Sequence, residues 1–168
     1  MTIWLTEIKR IPKKTLELVL WLLLGIPMAI IAAFKLIFTG SVKSRNRLAA
    51  RLEEIDQMDG FSFEYYIAEL LKEHGFRQVV VTGGSGDFGV DITAVIGNTK
   101  YAFQCKNYQR NIGVTPIQEV YSGAPMYKAS VCVVVTNAYF TPHAIELARS
   151  LGVRLWDRDV LYRLMGQG

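Results

Sequence analysis

Three polar side chains lie in apolar runs at spacings that would let them act on one ligand. Val90, Ile92 and the apolar positions after them alternate along one face of a predicted strand, so Asp91 projects from the other face. Gln104 and Lys106 lie two residues apart in the next apolar run and share a face there. Because polar groups in apolar strands are costly to bury alone, these positions indicate a metal ion or a substrate as partner.

The residue types suit hydrolysis of a phosphodiester with the help of a divalent cation. Mg²⁺ prefers carboxylate, carbonyl and water oxygens, and Asp91 offers a carboxylate while Gln104 offers an amide oxygen. Lys106 offers a positive charge that stabilises an attacking hydroxide or the charge on the phosphate. Glu64, in the predicted first turn of an earlier helix, adds a second carboxylate. We therefore predict Asp91, Gln104, Lys106 and Glu64 as catalytic residues.

Simpler explanations exist for both acidic residues. An aspartate near a turn is more often an ordinary surface residue than a ligand, and Asp91 gains its significance from the QCK triplet at strand spacing. A glutamate in the first turn of a helix commonly complements the helix dipole, which is the alternative role of Glu64. Asp87 follows a glycine and is typical of a turn.

Alternating helical and extended patterns predict the elements that would carry these residues. The predicted helices are Phe61–His74 (with Ser62 as N-cap and Gly75 after the end), Thr115–Lys128, Thr141–Leu151 and Arg158–Met165. The predicted strands are Gln78–Thr82, Gly89–Ile96, Lys100–Lys106, Ser130–Thr136 and Val153–Trp156. A tight turn at Gly97 joins the second strand to the third, which would bring the polar side chains together. The order predicts an α/β fold with a mixed sheet flanked by helices.

A long apolar segment precedes this region. Residues 18–38 provide 21 positions with Lys35 as the one charged residue, and about 20 apolar residues in a helix span a bilayer. We predict a transmembrane helix at 18–38, a basic flank at 1–17, a charged connector at 39–59 and a separate domain at 60–168. Lys and Arg occur on both sides of the span, so they leave its orientation open.

The positive charge of the chain belongs to its first third. Residues 1–51 contain nine Lys or Arg and two acidic residues, whereas residues 52–168 contain ten and thirteen, a net charge of −3. The basic flanks suit contact with anionic lipid headgroups, and they are no argument for DNA binding. Cys105 and Cys132 match no zinc or disulfide pattern and are predicted to be buried free thiols.

The motif residues resemble a known family. GSGDFGVDI followed by FQCK, with Phe63–Glu64 before them and VVVTNAYFTPHAIELA after them, is similar to the Mrr-type branch of the PD-(D/E)XK restriction-endonuclease-like superfamily. The resemblance implies a restriction-endonuclease-like fold, cleavage of DNA and dependence on Mg²⁺ or Mn²⁺. It places the metal ligands at Asp91, Gln104 and Glu64 and the motif lysine at Lys106. Gln104 replaces the acid usual in the superfamily, which is typical of the Mrr branch and removes one negative charge.

These observations lead to one function hypothesis and two rivals. The first is a single-pass membrane endonuclease whose catalytic domain faces the cytoplasm, where DNA lies, and which acts in restriction or defence against foreign DNA. The expected partners are DNA, membrane lipid and a second copy of the chain, since a double-strand break with one site per chain favours a homodimer. The rivals are a membrane-tethered DNA-binding scaffold that no longer cuts and a structure-selective repair nuclease.

Overall fold

The computed structural model describes residues 13–83 and 86–166, so the first two residues of the GSGDFGVDI motif and most of the predicted basic flank lie outside the described residues. The chain divides into two compact units, Met1–Arg47 and Leu48–Gly168. The division into a connector at 39–59 and a separate domain at 60–168 stays a prediction.

The first unit consists of helix in its described part. Helix α1 (Lys13–Leu20) is followed by one wide π-helical turn (Trp21–Gly25) and then by α2 (Ile26–Asp56). Pro27 lacks the N–H that would bond to the carbonyl four residues earlier, and the wide turn lies directly before it. Among the described residues one helical segment, Lys13–Lys35, is long and apolar enough to cross a membrane. It is therefore a candidate transmembrane span.

The second unit contains a five-stranded sheet and helices on both of its faces. After the end of α2 its helices are α3 (Gly60–Glu73), α4 (Thr115–Gly123), α5 (Pro142–Leu151) and α6 (Arg158–Met165). Its strands are β1 (Arg77–Val81), β2 (Ile92–Ile96), β3 (Thr99–Lys106), β4 (Val131–Thr136) and β5 (Arg154–Trp156). This confirms the predicted α/β fold with a mixed sheet.

The sheet changes direction in its middle. The strand order is β1-β2-β3-β4-β5; the first three strands are antiparallel neighbours, and β3-β4 and β4-β5 are parallel pairs. The β2–β3 hairpin turns at Gly97, whose φ is +58°, a conformation that glycine adopts without strain. Pairing of Ile92 with Phe103 brings the start of β2 beside the end of β3. Asp91, which precedes Ile92, and Gln104, which follows Phe103, therefore lie side by side in the candidate site.

Two apolar layers hold the sheet. On one face Phe63, Ile67 and Leu71 of α3 pack against Ile92 and Phe103. On the other face the buried residues of α4 and α5 pack against β3 and β4: Ile117, Val120, Ala144, Ala148, Ala102 and Val134. Cys105 is buried as predicted, whereas Cys132 is half-buried, and both are free thiols. The alternation of β3 places Gln104 and Lys106 on the α4–α5 face.

Several predicted boundaries were wrong for local reasons. Helix α3 begins at Gly60 with Asp59 as its N-cap, whose carboxylate accepts a hydrogen bond of 2.7 Å from the Ser62 amide; Ser62 is not the cap. The second strand begins at Ile92, three residues later than predicted, since Phe88 and Gly89 have positive φ. Val90 consequently packs in the layer opposite to Ile92.

Helix α4 is shorter than the predicted helix of 115–128. It ends at Gly123, and the residues that follow, Ala124–Tyr127, form a 3₁₀ turn. Pro125 lies in this turn and cannot donate the next helical hydrogen bond. Lys128 then adopts a left-handed conformation that leads the chain into β4.

The last turns of α2 are part of the packed second unit. Leu52 is 7% exposed and Ile55 is fully buried against the sheet. Asn107, which directly follows the β3 lysine, donates hydrogen bonds to the Ile55 carbonyl at 2.9 Å and to the Met58 carbonyl at 2.7 Å. The end of α2 is thus fixed beside the end of β3.

Candidate active site

Asp91 lies just before β2, where neighbouring chain segments hold its backbone on both sides. Its amide donates to the Phe103 carbonyl at 2.8 Å, and its carbonyl accepts from the Thr82 amide at 2.9 Å. The side chain is 7% exposed, and its Oδ2 accepts hydrogen bonds from the Cys105 amide at 2.6 Å and from the Gln104 amide group. Burial raises the pKa of Asp91 in spite of these bonds. A cation beside the carboxylate would offset that penalty.

Gln104 presents an unused acceptor in the same place. The side chain is 2% exposed, its Nε2 donates to Asp91, and its Oε1 is buried without a hydrogen-bond partner. A buried carbonyl oxygen that lacks a partner costs roughly 1–3 kcal/mol. Since β3 holds the backbone of Gln104 between β2 and β4, this oxygen cannot turn outward without breaking the contact to Asp91. It is available to a bound ion.

Lys106 ends β3 and faces an acidic residue of α4. Its Nζ lies 3.4 Å from Oε2 of Glu119, and the two side chains are 22% and 39% exposed. The distance is that of an ion pair, and the geometry is too poor for a hydrogen bond, because the same Glu119 oxygen is buried without a hydrogen-bond partner. The positive charge of Lys106 opposes the rise in the pKa of both Asp91 and Glu64.

Glu64 lies in the second turn of α3 and not in the first, because the helix begins at Gly60. The dipole explanation therefore loses force, since that effect falls off within the first turn. Burial raises the pKa of Glu64 to about 7, helped by repulsion from Asp91 and Asp87. Glu64 is thus a partly buried carboxyl whose charge interacts with that of Asp91.

The loop before Asp91 is packed tightly against α4. Asp87 accepts a hydrogen bond from the Gly89 amide at 2.9 Å, which is the turn geometry predicted for it. A Cβ on Gly89 would lie 2.6 Å from the Cβ of Glu119, and a Cβ on Gly123 would overlap the Phe88 carbonyl oxygen. Glycine at both positions lets the loop and the helix approach closely, so the same contact positions Asp91 and Glu119.

The structure places Asp91 and Gln104 in direct contact, with Lys106 on the same face of β3, and adds one residue to the site. Glu64 is related to this group by charge: the carboxylate of Asp91 helps to raise its pKa, and Lys106 opposes that rise. Sequence analysis missed Glu119. The available signal was its spacing three residues after Pro116 and four before Gly123, which puts a carboxylate beside the buried face of α4.

The oxygen donors at this place fit a hard divalent cation. The amide oxygen of Gln104 takes the place of one carboxylate. Within residues 13–83 and 86–166, no group of three or more His, Cys, Asp or Glu side chains is arranged to hold a metal ion. The unpartnered Gln104 oxygen supplies the additional oxygen donor beside Asp91. Carboxylate and amide oxygens are what Mg²⁺ and Mn²⁺ accept.

Two solved structures share this fold. AspBHI, a DNA modification-dependent restriction endonuclease, aligns with a TM-score of 0.56 and 17% identity over 74% of this chain and 35% of its own. The MspJI restriction endonuclease, in complex with a 27-mer oligonucleotide, aligns with a TM-score of 0.53 and 18% identity over 73% of this chain and 31% of its own. The chain thus spans about a third of the length of either enzyme. No curated protein matches the sequence.

A family model covers the second unit almost entirely. The catalytic-domain model of Mrr, described as restriction endonuclease, matches residues 55–165. This range includes every strand of the sheet, the β3 motif and Glu119 on α4. The chain therefore belongs to the Mrr-type restriction endonuclease family, and residues 55–165 form its nuclease domain.

Proposed function

We propose that this chain is a divalent-cation-dependent DNA endonuclease that cuts phosphodiester bonds at the end of β3. The observation that carries the proposal is the buried Gln104 Oε1, which has no partner although it lies beside the buried carboxylate of Asp91. Lys106 lies two residues farther along the same face of β3 and is more exposed than Gln104. Two oxygen donors and one cationic group at neighbouring positions are parts that hydrolysis of a phosphate ester needs.

Asp91, Gln104 and Glu64 are the residues that would hold the cation, which we propose to be Mg²⁺ or Mn²⁺. The bound ion would polarise the phosphate and activate water for attack on phosphorus. Asp91 contributes a full negative charge in a buried position, and Gln104 contributes a neutral oxygen. Glu64 adds a carboxylate from α3. Burial raises its pKa, and the negative charges of Asp91 and Asp87 raise it further. The amide in place of an acid predicts weaker metal binding than a three-acid site.

Lys106 would act on the phosphate itself. Its ammonium neutralises the charge that develops when water adds to phosphorus and the bond to one deoxyribose oxygen breaks. Glu119 would be a positioning residue, since it holds the ammonium at 3.4 Å from the α4 side. The pair keeps the lysine side chain directed across the opening, where the substrate phosphate must lie.

DNA is the substrate that the family suggests. MspJI is described in complex with a 27-mer oligonucleotide, and AspBHI is described as DNA modification-dependent. By analogy we propose DNA as the partner of this chain and restriction or defence against foreign DNA as its role. A double-strand break by a chain with one site favours action as a homodimer.

We further propose that the segment Lys13–Lys35 anchors the nuclease in a membrane. Large apolar side chains along it are exposed to solvent, among them Leu23 (67%) and Met28 (71%). The length suffices for a bilayer. Access to DNA then requires the nuclease domain on the cytoplasmic side, with the basic flanks near anionic lipid headgroups.

Plasmid cleavage by the full chain in detergent tests the nuclease function. We expect cleavage with Mg²⁺ or Mn²⁺, none in EDTA, and a loss of at least about 100-fold in Asp91→Ala and Lys106→Ala. Lys100→Ala is the matched control, because this lysine lies at the opposite end of the same strand. Equal cleavage by all variants indicates a contaminant. DNA binding without cleavage by the parent chain supports the scaffold alternative, and cleavage confined to branched DNA supports the repair alternative.

A further inference from the structure

A cleft of about 460 Å³ opens beside the β3 lysine. It is lined by Lys106 and Glu119, by the loop after β3, including Tyr108 and Arg110, and by Thr141 at the start of α5. Binding sites for small molecules have volumes of roughly 300–1,000 Å³, so the cleft has room for one nucleotide. It shares Lys106 with the proposed catalytic site and is therefore continuous with it.

The loop after β3 is held in place by hydrogen bonds of its backbone to the segment that follows β4. The Tyr108 amide donates to Oδ1 of Asn137 at 2.8 Å. Ile112 donates to the Tyr139 carbonyl at 2.8 Å and accepts from the Thr141 amide at 2.9 Å. Because these bonds tie the loop to the segment between β4 and α5, the cleft is preformed, and ligand binding costs little ordering.

The cleft contains a cation that has no carboxylate partner among the described residues. The Arg110 guanidinium lies over the Tyr108 ring at 5.9 Å from its centre, and no acidic side chain lies within ion-pair distance of it. Glu119, the acid that lines the cleft, is opposite Lys106 instead. An exposed arginine held by an aromatic ring next to a phosphate-directed lysine suits a second phosphate group.

We propose that this cleft binds one nucleotide of the DNA strand next to the phosphodiester that is cut, with Arg110 on the phosphate of that nucleotide. Tyr108 holds the guanidinium in place through its ring. The nucleotide fixes the register of the strand so that the neighbouring phosphate reaches Lys106. The proposal rests on the proposed nuclease function. It explains how residues 52–168, with a net charge of −3, bind a polyanion, because Lys106 and Arg110 line the same cleft.

The test compares cleavage kinetics of full-chain variants in detergent. For Arg110→Ala we expect KM for DNA to rise about tenfold and the slope of log KM against log salt to fall by about one, with kcat at saturating DNA within threefold of the parent. Tyr108→Leu should raise KM by a smaller factor, and Tyr108→Phe should match the parent since it keeps the ring. Arg149→Ala is the matched control; it removes an exposed arginine about 12 Å farther along α5 from Thr141.

A DNA substrate in which one phosphate carries no charge can identify the phosphate that Arg110 contacts. Replacing single phosphates on either side of the mapped cut by methylphosphonate should raise KM for the parent at one position. The same replacement should cause no additional loss in Arg110→Ala, because the contact is already absent. Thermal unfolding checks that Arg110→Ala is folded, which we expect since its side chain is exposed.

Two outcomes overturn the proposal and are distinguishable. If Arg110→Ala has the KM and salt slope of the parent while Asp91→Ala abolishes cleavage, the cleft does not bind the strand, although the nuclease function stands. If the parent neither binds nor cuts DNA, the nuclease function fails and the cleft proposal fails with it.

Discussion

The Nζ atom of Lys106 lies 3.4 Å from Oε2 of Glu119, so a carboxylate of the α4 helix forms an ion pair with the lysine of the β3 motif. Loss of this pair is expected to affect the chemical step more than substrate binding. For Glu119→Gln we predict a roughly tenfold fall in kcat, equivalent to about 1.4 kcal/mol, with KM within threefold of the parent. Steady-state cleavage of plasmid DNA measures both quantities.

Glu146→Gln is the control for this substitution, because Glu146 is exposed on α5 and should have parental kinetics. An equal loss of kcat in both variants would show that Glu119 has no special relation to Lys106.

Replacement of Gly123 by alanine is predicted to disturb the site from a distance. The new Cβ would overlap the Phe88 carbonyl oxygen, so the loop that leads to Asp91 must move away from α4. We expect a loss of about 1–3 kcal/mol in the free energy of unfolding and at least a tenfold loss of cleavage. Thermal unfolding and plasmid cleavage are the measurements. Gly60→Ala, whose Cβ meets nothing within 4 Å, should leave both unchanged or slightly raise stability.

Gln104→Glu is predicted to increase the affinity of the proposed site for Mg²⁺. A second carboxylate beside Asp91 raises the charge of the proposed metal site, so the Mg²⁺ concentration for half-maximal cleavage should fall roughly three- to tenfold. The same substitution removes the donor to Asp91 and brings two negative charges together, so the protein in EDTA should unfold at a lower temperature than the parent. The measurements are the cleavage rate as a function of Mg²⁺ concentration and the unfolding temperature of both proteins in EDTA. Unchanged Mg²⁺ dependence would contradict a ligand role for residue 104.

The ion pair between Asp56 and Arg158 predicts a pH-dependent contribution to stability. Both carboxylate oxygens of Asp56 accept from the guanidinium, at 2.7 and 2.8 Å, and these hydrogen bonds lower the pKa of Asp56 below its usual 3.8. A lowered pKa means that the stabilisation is present above about pH 4 and is lost as the pH falls through the folded-state pKa. Asp56→Asn should cost about 2 kcal/mol at pH 7.

The measurement is thermal unfolding of the two proteins between pH 2.5 and 7. The difference between parent and Asp56→Asn should shrink below about pH 4, because the parent then loses the same charge. Glu53→Gln, an exposed position on the same helix, is the control. A difference that persists unchanged at low pH would mean that packing and not charge accounts for the effect.

The candidate span predicts the behaviour of the whole chain in cells. With Lys13–Lys35 in a bilayer, the protein should remain in the membrane pellet after a wash with alkaline carbonate. Leu23→Arg combined with Ile30→Arg adds two charges to the apolar segment and should release a large fraction of the protein. Complete release of the parent chain by carbonate would contradict the anchor.

Much of the fold follows from the sequence because its strands are regular. Gln104 and Lys106 alternate with buried residues in β3, and the Gly97 turn fixes the hairpin, so the contact between Gln104 and Asp91 was predictable from spacing. The start of β2 was not, because Phe88 adopts a left-handed conformation that residue preferences do not reveal. Glu119 was missed for another reason. Its relation to Lys106 depends on how closely α4 packs, and that depends on glycines far apart in the sequence.

The burial of Leu52 and Ile55 in the same layer as Phe63 has a practical consequence for protein production. A soluble fragment that begins at the apparent start of the enzyme, at residue 60, would lack these two side chains and would leave a hydrophobic gap over the sheet. The same cut would remove the carbonyl groups that accept from Asn107, next to the motif lysine. Expression designs should therefore begin at or before Leu48, and poor behaviour of shorter fragments would reflect a missing piece of the core and not an intrinsically inactive enzyme.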